Sequence, residues 1–214
     1  MYRLFIPDIG WFSVVADVHA VDGTPAEEGF LRILEEISLS QDNVVFLGDI
    51  MDLWIGLPRY ETPLQRRFLE WCRVEKERRR VYFIEGNHEY YVARCHKDVF
   101  FEASDKYIAI NGVYFTHGHT IQGSLFSFNR IFECFAKSAI ACLIMEIMPF
   151  GKSFAHFLKR LLGGRHDCTF VPRECIARWL ARQDASCCII GHFHEEAEIV
   201  SEGKRAIVLP RALQ

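Results

Sequence analysis

The sequence predicts an α/β fold built in layers. Three observations carry that expectation: five short β-type apolar runs, two stretches of helical apolar spacing between them, and a polar or glycine-bearing segment directly after each run. The runs are Phe12–Ala16, Val44–Leu47, Val81–Ile84, Val113–Thr116 and Cys187–Ile190. Each has the length of a buried strand and is too short for a helix. The first helix is expected over Glu27–Ile37, where Phe30, Ile33, Leu34 and Ile37 share a face. The second is expected over Leu64–Glu77, through Leu64, Phe68, Trp71 and Val74. Pro63 and Pro172 stand near helix starts, where a missing N–H is tolerated.

From Ile121 to Arg165 the rhythm changes. Leu125, Phe128, Phe132, Phe135, Ala139 and Cys142 recur at spacings of three and four, a helical stripe. From Ala139 to Met148 the apolar residues go all round the helix, with Glu146 the only charge. Pro149 interrupts, a second helical stretch carries Phe150, Phe154, Phe157, Leu158, Leu161 and Leu162, and Gly163-Gly164 closes it. The segment holds six Lys or Arg against two acids, so it is +4 in a chain whose net charge is −3. Its longest uncharged apolar run falls far short of the roughly 20 residues of a membrane span. Two readings stay open: a helical hairpin packed on the core, or an apolar and basic lid that meets acyl chains at an anionic membrane surface. The apolar circumference and the local charge inversion favour the lid. The expected organisation is therefore a core of residues 1–120 and 166–214 with a helical insertion at 121–165.

Composition bounds the function. A chain of 214 residues, half of it hydrophobic and with 18 Phe, can bury a core without disulfides. The net charge of −3 excludes nucleic-acid binding through bulk positive charge. None of the eight Cys residues forms a Cys-x-x-Cys pair, and Met1–Ile9 does not read as a signal peptide. Reduced cysteines in a cytoplasmic protein are expected.

The chemistry lies at the strand ends. Asp17-Val-His19, Gly48-Asp49 with Asp52, Gly86-Asn87-His88-Glu89, His117-Gly118-His119 and Gly191-His192 with His194 follow the five runs in order, and they hold six of the nine His. If the strands are neighbours in one sheet, these side chains converge. Carboxylate and carboxamide oxygens mixed with imidazoles suit Mn, Fe or Zn, and the lack of thiolates argues against a structural zinc site.

This ordered set resembles the calcineurin-like metallophosphoesterases over about residues 12 to 194. The resemblance implies a four-layer αββα sandwich and two divalent metal ions. Position by position, Asp17, His19, Asp49 and His194 would hold one ion, and Asp49, Asn87, His117 and His192 the other, with Asp49 shared. It matches His88 to a histidine beside the substrate phosphate, suited to donate a proton to the leaving oxygen, and Asp52 to the acid that orients it. His119 would support a ligand or touch phosphate. His96, His156 and His166 match no motif.

Within that family, Phe46-Leu-Gly-Asp-Ile-Met-Asp-Leu-Trp-Ile-Gly56, Tyr82-Phe-Ile-Glu-Gly-Asn87 and the helical insertion after Thr120 resemble the UDP-2,3-diacylglucosamine pyrophosphohydrolases of lipid A synthesis. Those enzymes imply a typically manganese centre that cleaves a pyrophosphate to UMP and a lipid sugar phosphate, beneath a lid over the acyl chains. Phe128, Phe132 and Phe154 would then cover acyl chains and Arg165 would meet phosphate, on the inner face of a membrane. This chain has His88, Asp52 and His119 where that subfamily has Arg, Glu and Asp, which returns the site to the general phosphoesterase pattern. The alternatives are a phosphodiesterase or phosphatase for another lipid-linked or small phosphoester, and a non-catalytic scaffold on the same fold. The retained ligand set counts against the scaffold.

Overall fold

A computed structural model describes residues 1–121, 135–148 and 170–213. The first half runs β1 (Tyr2–Ile6), β2 (Gly10–Val15), α1 (Pro25–Leu39), β3 (Asn43–Leu47), β4 (Trp54–Ile55), α2 (Pro63–Lys76), β5 (Val81–Ile84) and β6 (Glu89–Tyr90). It continues through α3 (Val92–Cys95), β7 (Glu102–Ser104), β8 (Tyr107–Ile110) and β9 (Val113–Thr116). After α4 (Ala139–Ile147) come α5 (Arg173–Ala181), β10 (Cys187–Ile190), β11 (Ala197–Ser201) and β12 (Lys204–Val208). The five expected strands and both expected helices form, within two residues of their predicted ends.

The strands make two five-stranded sheets, ordered β1-β2-β3-β5-β7 and β11-β12-β10-β9-β8. In the first, β2, β3, β5 and β7 are parallel and β1 is antiparallel at the edge. In the second, β9, β10 and β12 are parallel between antiparallel edges. The runs are apolar throughout because both faces of each central strand are covered. Val44 and Phe46 of β3 face α1 and α2, in a cluster with Phe30, Ile37, Phe68 and Cys72. The alternate residues Val45 and Leu47 face the second sheet, against Ile108, Phe115 and Ile189. On that sheet's far side Cys188 and Ile190 meet Ile176 and Leu180 of α5. Period-two alternation thus separates three apolar clusters and produces the order helix, sheet, sheet, helix.

Local chemistry starts the helices. Pro63 opens α2, and Thr62 and Gln65 exchange side-chain and backbone hydrogen bonds in a capping box. In α1, Pro25 stands in the first turn with Glu27 and Glu28, which suits the positive end of the helix dipole. Phe68 is wholly buried and packs on Phe30, Phe46, Trp54 and Phe83, a burial worth about 1.5–3 kcal/mol.

Residues 135–148, the described part of the expected insertion, are seated on the rest of the chain. Ala141 and Cys142 of α4 are buried, the latter among Ile55, Leu57, Tyr60 and Tyr91. Arg59 donates to the carbonyls of Glu146 (2.6 Å) and Met148 (2.5 Å), and Tyr60 Oη to that of Met145 (2.6 Å). These donors satisfy the last carbonyls of the helix and place a cation at its negative end. Tyr91 Oη donates to the Ala136 carbonyl. On the other side Ile140, Leu143, Ile144 and Ile147 are exposed, at i, i+3, i+4 and i+7. The second helical stretch expected after Pro149, and Phe128, Phe132, Phe154 and Arg165, lie outside the described residues. Among the described residues no helix is long and apolar enough to cross a membrane, and the six cysteines are free thiols.

Candidate metal centre

The strands that carry the polar segments are divided between two sheets and are not all neighbours in one. β2, β3 and β5 end in the first sheet, β9 and β10 in the second. The segments still meet, because the sheets stack face to face and all five strands end at one edge of the sandwich. Three groups result: Asp17, His19 and His194; Asp49, His117 and His192; and His19, Asp52 and His88. In each, the candidate donor atoms lie within 4.8 Å of one another.

Asp49 stands between them. Its Oδ2 is 3.3 Å from His117 Nε2 and 3.9 Å from both His19 Nε2 and His88 Nε2. Asn87 Oδ1 reaches His117 Nε2 at 3.2 Å. Asp17 Oδ2 accepts from the His192 N–H (2.8 Å). Its Oδ1 is buried, accepts no hydrogen bond among the described residues, and faces His194 Nε2 at 3.4 Å. His19 Nε2 and His194 Nε2 are also 3.4 Å apart. Two ring nitrogens and an orphaned carboxylate oxygen aimed at one point are what a bound cation would satisfy, so these residues fit a metal.

The backbone is shaped for this convergence. Asp17, His19, Asp49, His192 and His194 all have positive φ, between 51° and 73°, a left-handed conformation that is costly for residues with a Cβ. Each turns its segment sharply in the loop that follows the strand. Two glycines make room. A Cβ on Gly86 would stand 2.1 Å from Asp49 Oδ1, and one on Gly48 2.5 Å from His117 Nδ1.

Hydrogen bonds set the tautomers. His117 Nδ1 lies 3.0 Å from the Leu47 carbonyl, so it carries the proton and turns Nε2 inward. His88 Nδ1 is 2.5 Å from the carbonyl oxygen of Asp52, so residue 52 holds this ring through its main chain. The His119 ring lies 5.4 Å from that of His117 and 6.2 Å from that of His192. His96, which matches no motif, sits apart on Glu61 at 2.5 Å.

A model of the calcineurin-like phosphoesterases matches residues 11–196. The chain belongs to the calcineurin-like phosphoesterase family. Two UDP-2,3-diacylglucosamine hydrolases are similar in part. The one from Photorhabdus laumondii subsp. laumondii is 36% identical over 78 residues, and that from Chromohalobacter salexigens 33% over 81. These matches cover 36% and 37% of this chain, and the chain spans about a third (32%) of the length of each relative. A phosphopantetheinyl hydrolase from Mycobacterium tuberculosis superposes over 94% of this chain and 89% of its own, with a TM-score of 0.46 and 13% identity.

Burial decides which imidazoles of this phosphoesterase are neutral. It lowers the His19 pKa to about 4 and, helped by the charge of His117, the His192 pKa to about 2. Neutral imidazole is the form that binds a metal. Burial opposes the charge of Asp49 too, but His117, His88 and His19 outweigh it and hold its carboxyl well below the usual range. For His117 burial acts downward, whereas Asp49, Asp17 and the Leu47 carbonyl bring the pKa up to about 9. Metal-free His117 is therefore protonated at pH 7, and a metal must displace that proton. We expect Mn2+ binding at pH 7 to release about one proton, and the affinity to rise roughly tenfold per pH unit up to about pH 9. Calorimetry in buffers of different ionisation enthalpy measures this; release unchanged between pH 7 and 10 would contradict it.

One important residue had no role in the sequence reading. Glu89 is fully buried, and its carboxylate accepts from the backbone N–H groups of Asp49 (2.8 Å), Ile50 (2.7 Å) and Gly86 (2.8 Å), with Met51 at 3.3 Å. It ties the two loops that carry Asp49 and Asn87. Burial and the charge of Asp49 push its pKa up to about 7, while the N–H donors favour the ionised form. An acid beside a ligand motif ordinarily reads as solvated, and only the fold shows that it is enclosed. Glu89→Ala is expected to destabilise the chain by more than about 3 kcal/mol, since several buried donors lose their acceptor. The denaturant midpoint at unchanged slope measures this.

Proposed function

We propose that this phosphoesterase is a dinuclear metal-dependent hydrolase that cleaves a phosphoester or pyrophosphate bond. The observation that carries the proposal is Asp49, a buried carboxylate between the His19 and His117 groups, because a carboxylate can bridge two cations and an imidazole cannot. Asp17, His19, Asp49 and His194 would hold one ion, and Asp49, Asn87, His117 and His192 the other. Mn2+ is our choice for both. Bound ions would acidify a water and draw charge from the phosphoryl group. The rest falls to the chain. His88 is pinned at Nδ1 by the Asp52 carbonyl, which leaves Nε2 as the atom that can pass a proton to the leaving oxygen.

For the substrate we propose an amphiphilic nucleotide sugar, UDP-2,3-diacylglucosamine, split to UMP and the lipid sugar 1-phosphate. The similarity to the two hydrolases supports this, as does the exposed stripe Ile140, Leu143, Ile144 and Ile147 within a segment rich in Lys and Arg. In this reading residues 121–165 are a lid, its Phe128, Phe132 and Phe154 on acyl chains and Arg165 on phosphate, at the cytoplasmic face of an anionic membrane. His119, whose ring lies 5.4 Å from that of His117, would support that ligand or touch phosphate. A second reading, a phosphodiesterase for another lipid-linked or small phosphoester, is favoured by His88, which replaces the subfamily's Arg. Purified protein with Mn2+ should release UMP from the diacyl nucleotide sugar. Brisk turnover of an aryl phosphodiester without UMP release would select the second reading.

A further inference from the structure

The insertion reaches the metal centre through a side chain that the phosphoesterase motifs do not include. Lys137 stands just before α4, and its side chain is only 11% exposed. Its Nζ donates to the Gly86 carbonyl at 2.7 Å and lies 3.7 Å from the Glu85 carboxylate, itself 2% exposed. The ammonium also lies 5.8 Å from the ring centre of Tyr90. Glu85 is in turn held by the Ala93 N–H at 2.8 Å. A cation so enclosed is costly unless paired, and here a carboxylate, a carbonyl and a ring face pair it.

What it grips matters. The Gly86 carbonyl belongs to the peptide that leads into Asn87, and the next residue is His88. From the core side, Glu89 binds the Gly86 N–H and Asp49 Oδ1 accepts the His88 N–H at 3.0 Å. From the insertion side the same turn is gripped by Lys137. We propose that Lys137 is a positioning residue: it fixes the Gly86–Asn87 peptide from the insertion, so that seating of the insertion on the core and the geometry of Asn87 and His88 are set together. A ligand that engages the insertion thereby orders the turn that presents a metal ligand and the proton donor. The catalytic consequence rests on the hydrolase reading; the tether itself can be tested without turnover.

The test uses the full chain with Lys137→Met, Lys137→Arg and, as a control, Tyr60→Phe. The control removes a different contact of the insertion, from Tyr60 to the Met145 carbonyl. Three quantities are read: Mn2+ affinity of metal-free protein by calorimetry, amide exchange of the peptide spanning residues 85–92, and kcat on a small aryl phosphodiester. Lys137→Met should weaken the weaker Mn2+ site roughly 10–100-fold, speed exchange in that peptide and lower kcat, since an outer partner of a ligand is lost. Lys137→Arg should restore most of each, and Tyr60→Phe should alter neither affinity nor exchange. Unchanged affinity and exchange in Lys137→Met, or equal losses in Tyr60→Phe, would overturn the proposal. If Lys137→Met does not fold, Lys137→Leu, which likewise removes the N–H donor, is held to the same criteria. A wild-type chain that hydrolyses no ester would sink the hydrolase reading, while calorimetry and exchange would still decide the tether.

Discussion

Asp49→Ala is expected to strip both ions from the centre and to lower turnover by roughly 10³-fold or more, because several kcal/mol of transition-state charge stabilisation go with them. Among the described residues no other carboxylate takes its place. Asp17 faces His194 and Asp52 faces His19 and His88, whereas Asp49 Oδ2 alone stands 3.3 Å from His117 Nε2 and 3.9 Å from His19 Nε2. Asp49→Asn is the informative partner, as it keeps an oxygen for the His88 N–H while removing the charge. Manganese content after dialysis, with kcat on the same samples, reads the outcome. Two ions retained by Asp49→Ala would mean that the bridging role is misassigned.

His88→Ala should behave oppositely on metal content. His88 shares a donor group with His19 and Asp52, but its Nδ1 is taken by the Asp52 carbonyl and each proposed ion keeps four other ligands, so both ions should stay. Turnover should fall roughly 10²–10⁴-fold, the usual worth of a positioned proton donor. The loss should shrink with aryl esters whose leaving group needs no proton, and this distinguishes an acid from a phosphate-binding residue. Loss of metal on His88→Ala would reassign it as a ligand. Asp52→Asn should cost less than His88→Ala, because the contact on Nδ1 comes from the residue 52 main chain and survives the substitution.

Five strands and two helices were legible because their signals are local. An apolar run closed by glycine or a polar residue, or a three-and-four spacing, reflects only which faces of an element are wet. The candidate ligands were legible for the same reason, since each follows its strand by a few residues. β1, β8, β11 and β12 left weaker traces: edge strands such as β8, with Tyr107 and Ala109 exposed between Ile108 and Ile110, bury only alternate residues. Glu89 and Lys137 could not be found this way. Beyond the nearby Gly86 N–H, Glu89 meets the backbone amides of Asp49 and Ile50, about 40 positions away, and Lys137 meets the Gly86 carbonyl, 51 away.

Read alone, the chain determined which chemistry is present: oxygens and imidazoles at five strand ends, in the order of one family, with an apolar and basic segment between the fourth and fifth. Tertiary structure decided how that chemistry is held. It split the five strands between two stacked sheets, placed five of the candidate ligands in a left-handed backbone, enclosed Glu89 as the acceptor that joins two loops, and set Lys137 of the insertion against the turn that bears Asn87. The reason is range. Residue type and spacing report what a side chain can do to its near neighbours, whereas the partner of a buried charge is chosen by packing between segments that meet only when the chain is folded.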